Sequence, residues 1–202
     1  VSARGRAYDR AYFDRWYRSP AHRVRSPAEV ARLVAFVVAT AEHLLGRSVR
    51  TVLDVGAGEG NWMPVLRRLR PRLAYTGVDP SEYAVRRFGR RRHLLLGDAT
   101  GLDALPLRED YDLVIASGVL NYLTRAQLRV ALRQLAARAG GMLYLELFTG
   151  ADDLRGDTRF AARLTAAWLR AELRRAGLVG AGLHCYLPAA ERWRVAEMER
   201  TL

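Results

Sequence analysis

The stretch Thr51-Val52-Leu53-Asp54-Val55-Gly56-Ala57-Gly58-Glu59-Gly60-Asn61 decides the fold. Thr51, Val52, Leu53 and Val55 are β-formers, as a strand buried on both faces of a parallel sheet requires. Gly56, Gly58 and Gly60 then let the backbone turn sharply into a helix and leave bare main chain for a ligand to approach. The dinucleotide fingerprint G-x-G-x-x-G needs a glycine where Asn61 stands. The spacing G-x-G-x-G behind Asp54 therefore argues against a nicotinamide dinucleotide.

Outward from this stretch the chain alternates strand and helix. Before it, Ser26-Pro27-Ala28-Glu29 reads as an N-cap, a first-turn proline and a capping-box acid, opening an amphipathic helix that runs to about Leu45 and ends at Gly46. After it come a crossover helix over 61–70 stopped by Pro71, a second strand Leu73–Val78, and a helix opening at Asp79-Pro80-Ser81. The third strand is His93–Leu96, the fourth Tyr111–Ala116 and the fifth Gly141–Leu147, with an amphipathic helix over Thr124–Arg138. Residues 151–159 read as a polar loop, followed by a helix to about Arg175 that Gly177 ends. Leu178–Leu187 with Arg192–Met198 reads as a closing antiparallel pair around Pro188. Such alternation predicts right-handed crossovers.

Four of these places carry the first-motif and strand-end pattern of a known family. Asp54, Gly56, Gly58 and Gly60 match D-x-G-x-G-x-G; Asp79 ends the second strand about twenty residues after the last glycine; Asp98 follows the third strand in H-L-L-L-G-D-A-T; and the fourth strand reads Y-D-L-V-I-A-S-G. The chain resembles the class I S-adenosylmethionine-dependent methyltransferases of small-molecule type, strongly over 49–147 and more loosely beyond. The resemblance implies an α/β, three-layer Rossmann-like sandwich whose seven-stranded, mostly parallel sheet has a C-terminal antiparallel hairpin at one edge. It implies S-adenosyl-L-methionine as cofactor. The loop Gly56, Ala57, Gly58, Gly60 and Asn61 would then contact its methionine part, Asp79 with Pro80 and Ser81 the ribose, Asp98 and the Ala99 amide the adenine, and Ser117 and Gly118 the sulfonium side. Asp54 also has an ordinary reading as a strand-end carboxylate capping amides, and Asp98 as an Asx turn.

Composition bounds the rest. At 202 residues the length prior gives one domain, 1–202: a lid segment over 1–25, a first core helix over 26–45 and the Rossmann-like core over 49–202. The sequence starts at Val1 rather than Met, so residues upstream of it are expected. Its 33 cations are all arginine against 21 acids, a formal +12, which read first as a compositional habit and only second as an acidic or nucleic-acid partner. The cluster R-R-F-G-R-R-R-H at 86–93 reads as a solvated helix end. Cys185 is the one cysteine, which excludes an internal disulfide and a cysteine-rich zinc site and suits a reducing cytoplasm. The run from Leu33 to Thr40 is too short to span a bilayer.

The expected chemistry is metal-independent transfer to O, N or C of a small-molecule acceptor by proximity and desolvation, with a base only where the acceptor must lose a proton. Glu146 late in the fifth strand, His184 on the closing pair, and Asp152 or Asp153 are the candidates, although a strand-end Glu is more often a cofactor or backbone contact and His184 more often a satisfied strand histidine. Acceptor contacts are expected from Tyr12, Trp16, Tyr17, Asn121, Tyr122 and Phe148. In the N-terminal segment the spacing 8, 12, 16 puts three rings on one helical face, and His22, Arg23 and Arg25 line an entrance suited to an anionic acceptor. The alternatives are an RNA or protein methyltransferase using the arginine surface, and a non-catalytic binding module.

Overall fold

Val52 and Leu53 point to opposite faces of the first strand, and both are fully buried, so helices must cover the sheet on both sides. The computed structural model describes residues 8–153, 156–157 and 164–202. Strands β1 (Thr51–Val55), β2 (Ala74–Asp79), β3 (Leu94–Leu96), β4 (Tyr111–Ala116), β5 (Ala139–Leu145), β6 (Leu178–Gly180) and β7 (Cys185–Pro188) form one sheet in the order β3-β2-β1-β4-β5-β7-β6. The first five pair in parallel, while β7 pairs antiparallel with both β5 and β6. Strand order reverses between β1 and β4, which opens a crevice at their carboxyl ends.

Helices α2 (Pro27–Leu45), α3 (Trp62–Leu69) and α4 (Glu82–Arg92) cover one face, where Val37, Val38, Leu66 and Phe88 pack with Val52, Leu113 and Met142. On the other face α5 (Arg125–Ala137) and α6 (Ala166–Arg175) bring Leu128, Leu132, Leu169 and Leu173 onto Leu53, Val114 and Leu143. The expected three layers are thus present. The predicted capping box closes α2: Ser26 Oγ accepts the Glu29 N–H at 3.2 Å and Glu29 accepts the Ser26 N–H at 2.7 Å. No helix among the described residues is long and apolar enough to cross a membrane.

Two expectations are corrected. The closing pair does not turn at Pro188. It turns at residues 181–184, where Gly182, Leu183 and His184 take φ of 80°, 50° and 64°, and Pro188 instead pairs with Leu178. Past Pro188 the chain forms short 3₁₀ turns over Ala189–Arg194 and Glu197–Glu199 rather than a strand. Helix α1 (Arg10–Phe13) widens into a π-turn over Asp14–Arg18. Phe13 is buried and stacks on Tyr83 at 5.8 Å, while Trp16 meets His22 edge-on at 6.3 Å. The predicted lid residues 1–7, and parts of the predicted loop and helix over 154–155 and 158–163, lie outside the described residues.

Candidate functional site

The crevice is floored by the glycine loop. Gly56, Gly58 and Gly60 all have φ between 57° and 75°, and a Cβ on Gly56 would come within 2.5 Å of Val119 on the loop after β4. Only bare backbone fits there. Beside it Asp79, at the end of β2, accepts the Gly58 N–H at 2.6 Å and the Ser81 N–H at 2.9 Å. Burial pushes this carboxyl above its ordinary range, and the two amides draw it back. The loop is braced from outside by Arg92, which donates to the Glu59 carbonyl at 2.6 Å and to Asn61 Oδ1 at 2.8 Å. With the Arg87, Arg91 and Arg92 guanidiniums within 6 Å of the Phe88 ring, the arginine cluster is used in holding α4 and the loop together.

Two hollows meet at Gly56 and Tyr122. The larger, about 530 Å³, runs from Asp54, Ala57, Asn61 and Trp62 past Ser117 and Gly118 to Asn121, Glu146 and Phe148, under Tyr12, Trp16 and Tyr17. The smaller, about 470 Å³, lies over Pro80, Ser81, Asp98 and Ala99, with Tyr8 and Asp9 on its rim. Most of the residues expected from the sequence therefore converge on one slot. Gly58, Gly60 and Asp79 line neither hollow. Gly58 and Asp79 lie beneath the ring of Tyr17, which abuts Gly58, and burial together with the Asp79 charge raises the Tyr17 phenol well above its ordinary range. Asp98 Oδ1 accepts from the Thr100 N–H at 2.8 Å and hydroxyl at 2.6 Å, so its Asx turn is real and presents Ala99 to the hollow.

Of the base candidates, Glu146 and Asp153 reach the larger hollow. Glu146 is buried and fully engaged: Arg25 donates to Oε1 at 2.6 Å and to Oε2 at 3.4 Å, Ser117 to Oε2 at 2.7 Å and Tyr144 to Oε1 at 2.9 Å. Asp152 caps its own loop, accepting from the Thr149 N–H and hydroxyl. His184 faces a separate hollow of about 260 Å³ at the hairpin, between Phe148 at 5.3 Å and Tyr144 at 6.2 Å. The entrance arginine, Arg25, is thus committed to a protein carboxylate.

Sequence reasoning did not place Val24, Glu29, Val30, Trp62 or Asp157 on the cavity wall, and all five line it. Glu29 and Trp62 were legible as helix-start residues, and both helix starts point at the crevice; Asp157 gave no signal beyond its polar surroundings.

Asp54 is 2% exposed. Burial, reinforced by the Asp79 charge and opposed by the Tyr75 hydroxyl at 2.7 Å, pushes its carboxyl up to about 7. Its folded pKa thus lies above the unfolded value near 4. The proton uptake stabilises the fold below about pH 4, and that contribution is lost as pH rises through about 7. Asp54→Asn is expected to flatten the decline in urea-unfolding free energy between pH 5 and pH 8; an unchanged slope would show that Asp54 ionises freely.

No curated protein matches the chain in sequence. A methyltransferase-domain family model matches residues 53–143, the span from β1 to β5. Among solved structures, an O-methyltransferase family protein from Burkholderia thailandensis is 18% identical over 80% of this chain and 56% of its own, with a TM-score of 0.54. The chain therefore spans little more than half of that protein. An amino pentose methyltransferase from Micromonospora echinaspora, involved in calicheamicin biosynthesis, is 17% identical over 82% of this chain and 92% of its own, with a TM-score of 0.61. The cyclase SpnF is 24% identical over 75% of this chain and 58% of its own, with a TM-score of 0.55. At these identities the structural likeness is one of fold. Motif spacing and strand order agree with the methyltransferase-domain match over residues 53–143.

Proposed function

We propose that the chain transfers a methyl group from S-adenosylmethionine to a small-molecule acceptor held in the larger hollow. The carrying observation is the meeting of the two hollows at Gly56 and Tyr122, where a Cβ on Gly56 would strike Val119. The site's chemistry suits the cofactor. Asp54 Oδ2 takes the Tyr75 hydroxyl, while Oδ1 has no donor among the described residues, so this buried oxygen is available to a cationic group of the methionine part. When bound, S-adenosylmethionine supplies a methyl group already activated on sulfur.

The chain's own residues then bind, orient and exclude water. The Ala99 amide and the small hollow would take an adenine edge, Asp79 beside the glycine loop would take the ribose hydroxyls, and Ser117 and Gly118 would border the reacting end. Glu146 acts as a positioning residue that ties Arg25, Ser117 and Tyr144 into one wall, since its lone pairs are already filled. Where the acceptor must shed a proton, Asp153 is the carboxylate on the cavity best placed to take it. His184, facing the other hollow, has no part in this reading. The whole of 1–202 works as one domain, its 8–25 segment forming the roof.

Incubation with methyl-labelled S-adenosylmethionine and separated small-molecule, RNA and protein fractions tests this. Label in the small-molecule fraction is expected. Label confined to RNA or protein would overturn the acceptor class, and SpnF's description as a cyclase makes the absence of any transfer a meaningful result, because this fold is shared by an enzyme named for other chemistry.

A further inference from the structure

Asn121 lines the larger hollow and is 7% exposed, and only one end of its carboxamide is satisfied. Its Oδ1 accepts the Phe148 N–H at 3.2 Å. A backbone N–H bonds only to an acceptor, so this contact settles which end of the amide is oxygen. The NH₂ end carries two donors and has no acceptor among the described residues. Gln134 is the contrast within the chain: its Oε1 accepts the Leu102 N–H at 2.6 Å while its NH₂ donates to the Thr100 carbonyl at 3.1 Å. A buried amide donor without a partner is costly, and a ligand oxygen removes the cost.

The fold puts this donor on the acceptor side of the crevice. Asn121 lies in the short 3₁₀ turn Leu120–Tyr122 after β4, beyond Gly118, and its partner Phe148 follows β5. The amide thus ties together the chain after β4 and the chain after β5. The glycine loop and Asp79 belong to β1 and β2, across the reversal in strand order. Tyr12, Trp16, Tyr122 and Phe148 bring aromatic rings to the same hollow. Flat apolar walls with a buried donor among them suit a flat body that offers a lone pair at one edge. An ammonium has no lone pair for this donor.

Resting on the methyl-transfer reading above, we infer that Asn121 sets acceptor specificity by donating its NH₂ to a carbonyl oxygen, so that the acceptor is a flat ring compound carrying a ketone, lactone or amide carbonyl. The acceptor contact expected at Asn121 thereby gains a direction. The side chain gives a hydrogen bond to the acceptor, because its receiving end is held by Phe148.

The test titrates the full chain with two matched pairs, 4-hydroxyacetophenone against 4-ethylphenol and 5-hydroxy-1-indanone against 5-indanol, with and without saturating S-adenosylhomocysteine. Within each pair a C=O is exchanged for a CH₂. The chain's carboxamides are Asn61, Asn121, Gln127 and Gln134 alone, so the Asn121 NH₂ signals are readily assigned in a proton–nitrogen correlation spectrum. Each ketone is expected to bind about tenfold more tightly than its partner, as one buried hydrogen bond requires, and to shift the Asn121 NH₂ signals. Asn121→Asp keeps an oxygen for the Phe148 N–H and removes the donor. The preference within each pair is expected to vanish in this variant while S-adenosylhomocysteine still binds. Equal binding within the pairs in the wild-type chain, no ketone binding in either condition, or a preference that survives Asn121→Asp would overturn the inference. So would NH₂ signals that move with S-adenosylhomocysteine and not with ketone, which would assign the amide to the cofactor. S-adenosylhomocysteine binding is read separately in the same titrations, so failure of the cofactor reading and failure of the carbonyl preference remain distinguishable.

Discussion

Replacing Asp79 with Ala is expected to weaken S-adenosylmethionine binding by about ten- to a hundredfold, since a hydrogen bond to a charged group is worth about 1.5–3 kcal/mol. Its position at the end of β2, beside the glycine loop, is the reason. The same substitution removes the acceptor of the Gly58 and Ser81 amides, so stability is expected to fall by about 1–3 kcal/mol in urea unfolding. Asp79→Asn separates the two effects. It keeps one oxygen for an amide and most of the stability, yet loses the charge that a ribose diol would use. Wild-type cofactor affinity in a folded Asp79→Asn and Asp79→Ala pair would remove Asp79 from the site.

Arg25→Ala is expected to cost about 2–4 kcal/mol, because it strips the cation from a buried carboxylate and leaves Glu146 facing two hydroxyls. The Arg25 side chain is 33% exposed against 3% for Glu146, so water recovers part of the loss at the arginine and little at the acid. The double variant Arg25→Ala with Glu146→Gln is expected to regain much of that stability by removing the orphaned charge. Arg25 also fastens the segment before α2 to Glu146, just past the end of β5, so the single variant should be cut faster by protease upstream of Ser26. An unchanged urea midpoint in Arg25→Ala would show the pair to be energetically idle.

The parallel core was legible because its signals are local. Glycines at alternate positions after a β-rich run, Asp at strand ends and the Ser26-to-Glu29 capping box each act within a few residues, and the strands they imply sit where expected. The closing hairpin was misplaced because Pro188 was read as a turn residue, while the turn is made by Gly182, Leu183 and His184, two of them non-glycine residues in a left-handed conformation that no local rule anticipates. In the N-terminal segment nothing in the sequence signalled the π-turn over 14–18, because a 3.6-residue period assumes an α-helix.

In the site, the cofactor side was visible as motif, whereas the acceptor side was not. Glu146 was found as a carboxylate at a strand end, but nothing in the sequence linked it to Arg25, 121 residues earlier, so a paired acid was read as a free base. His184 was drawn in by residue type and fell outside the cavity with the shifted turn. Glu29 was read as a helix cap alone, and Asp157 as loop.

The central claim is that the crevice over Gly56 to Gly60 holds S-adenosylmethionine. Calorimetric titration of the folded protein with S-adenosylmethionine and S-adenosylhomocysteine tests it most directly. One-to-one binding of both, lost or strongly weakened in Asp79→Ala, is the predicted result. Binding of neither to folded protein would contradict the account and leave the fold without the activity.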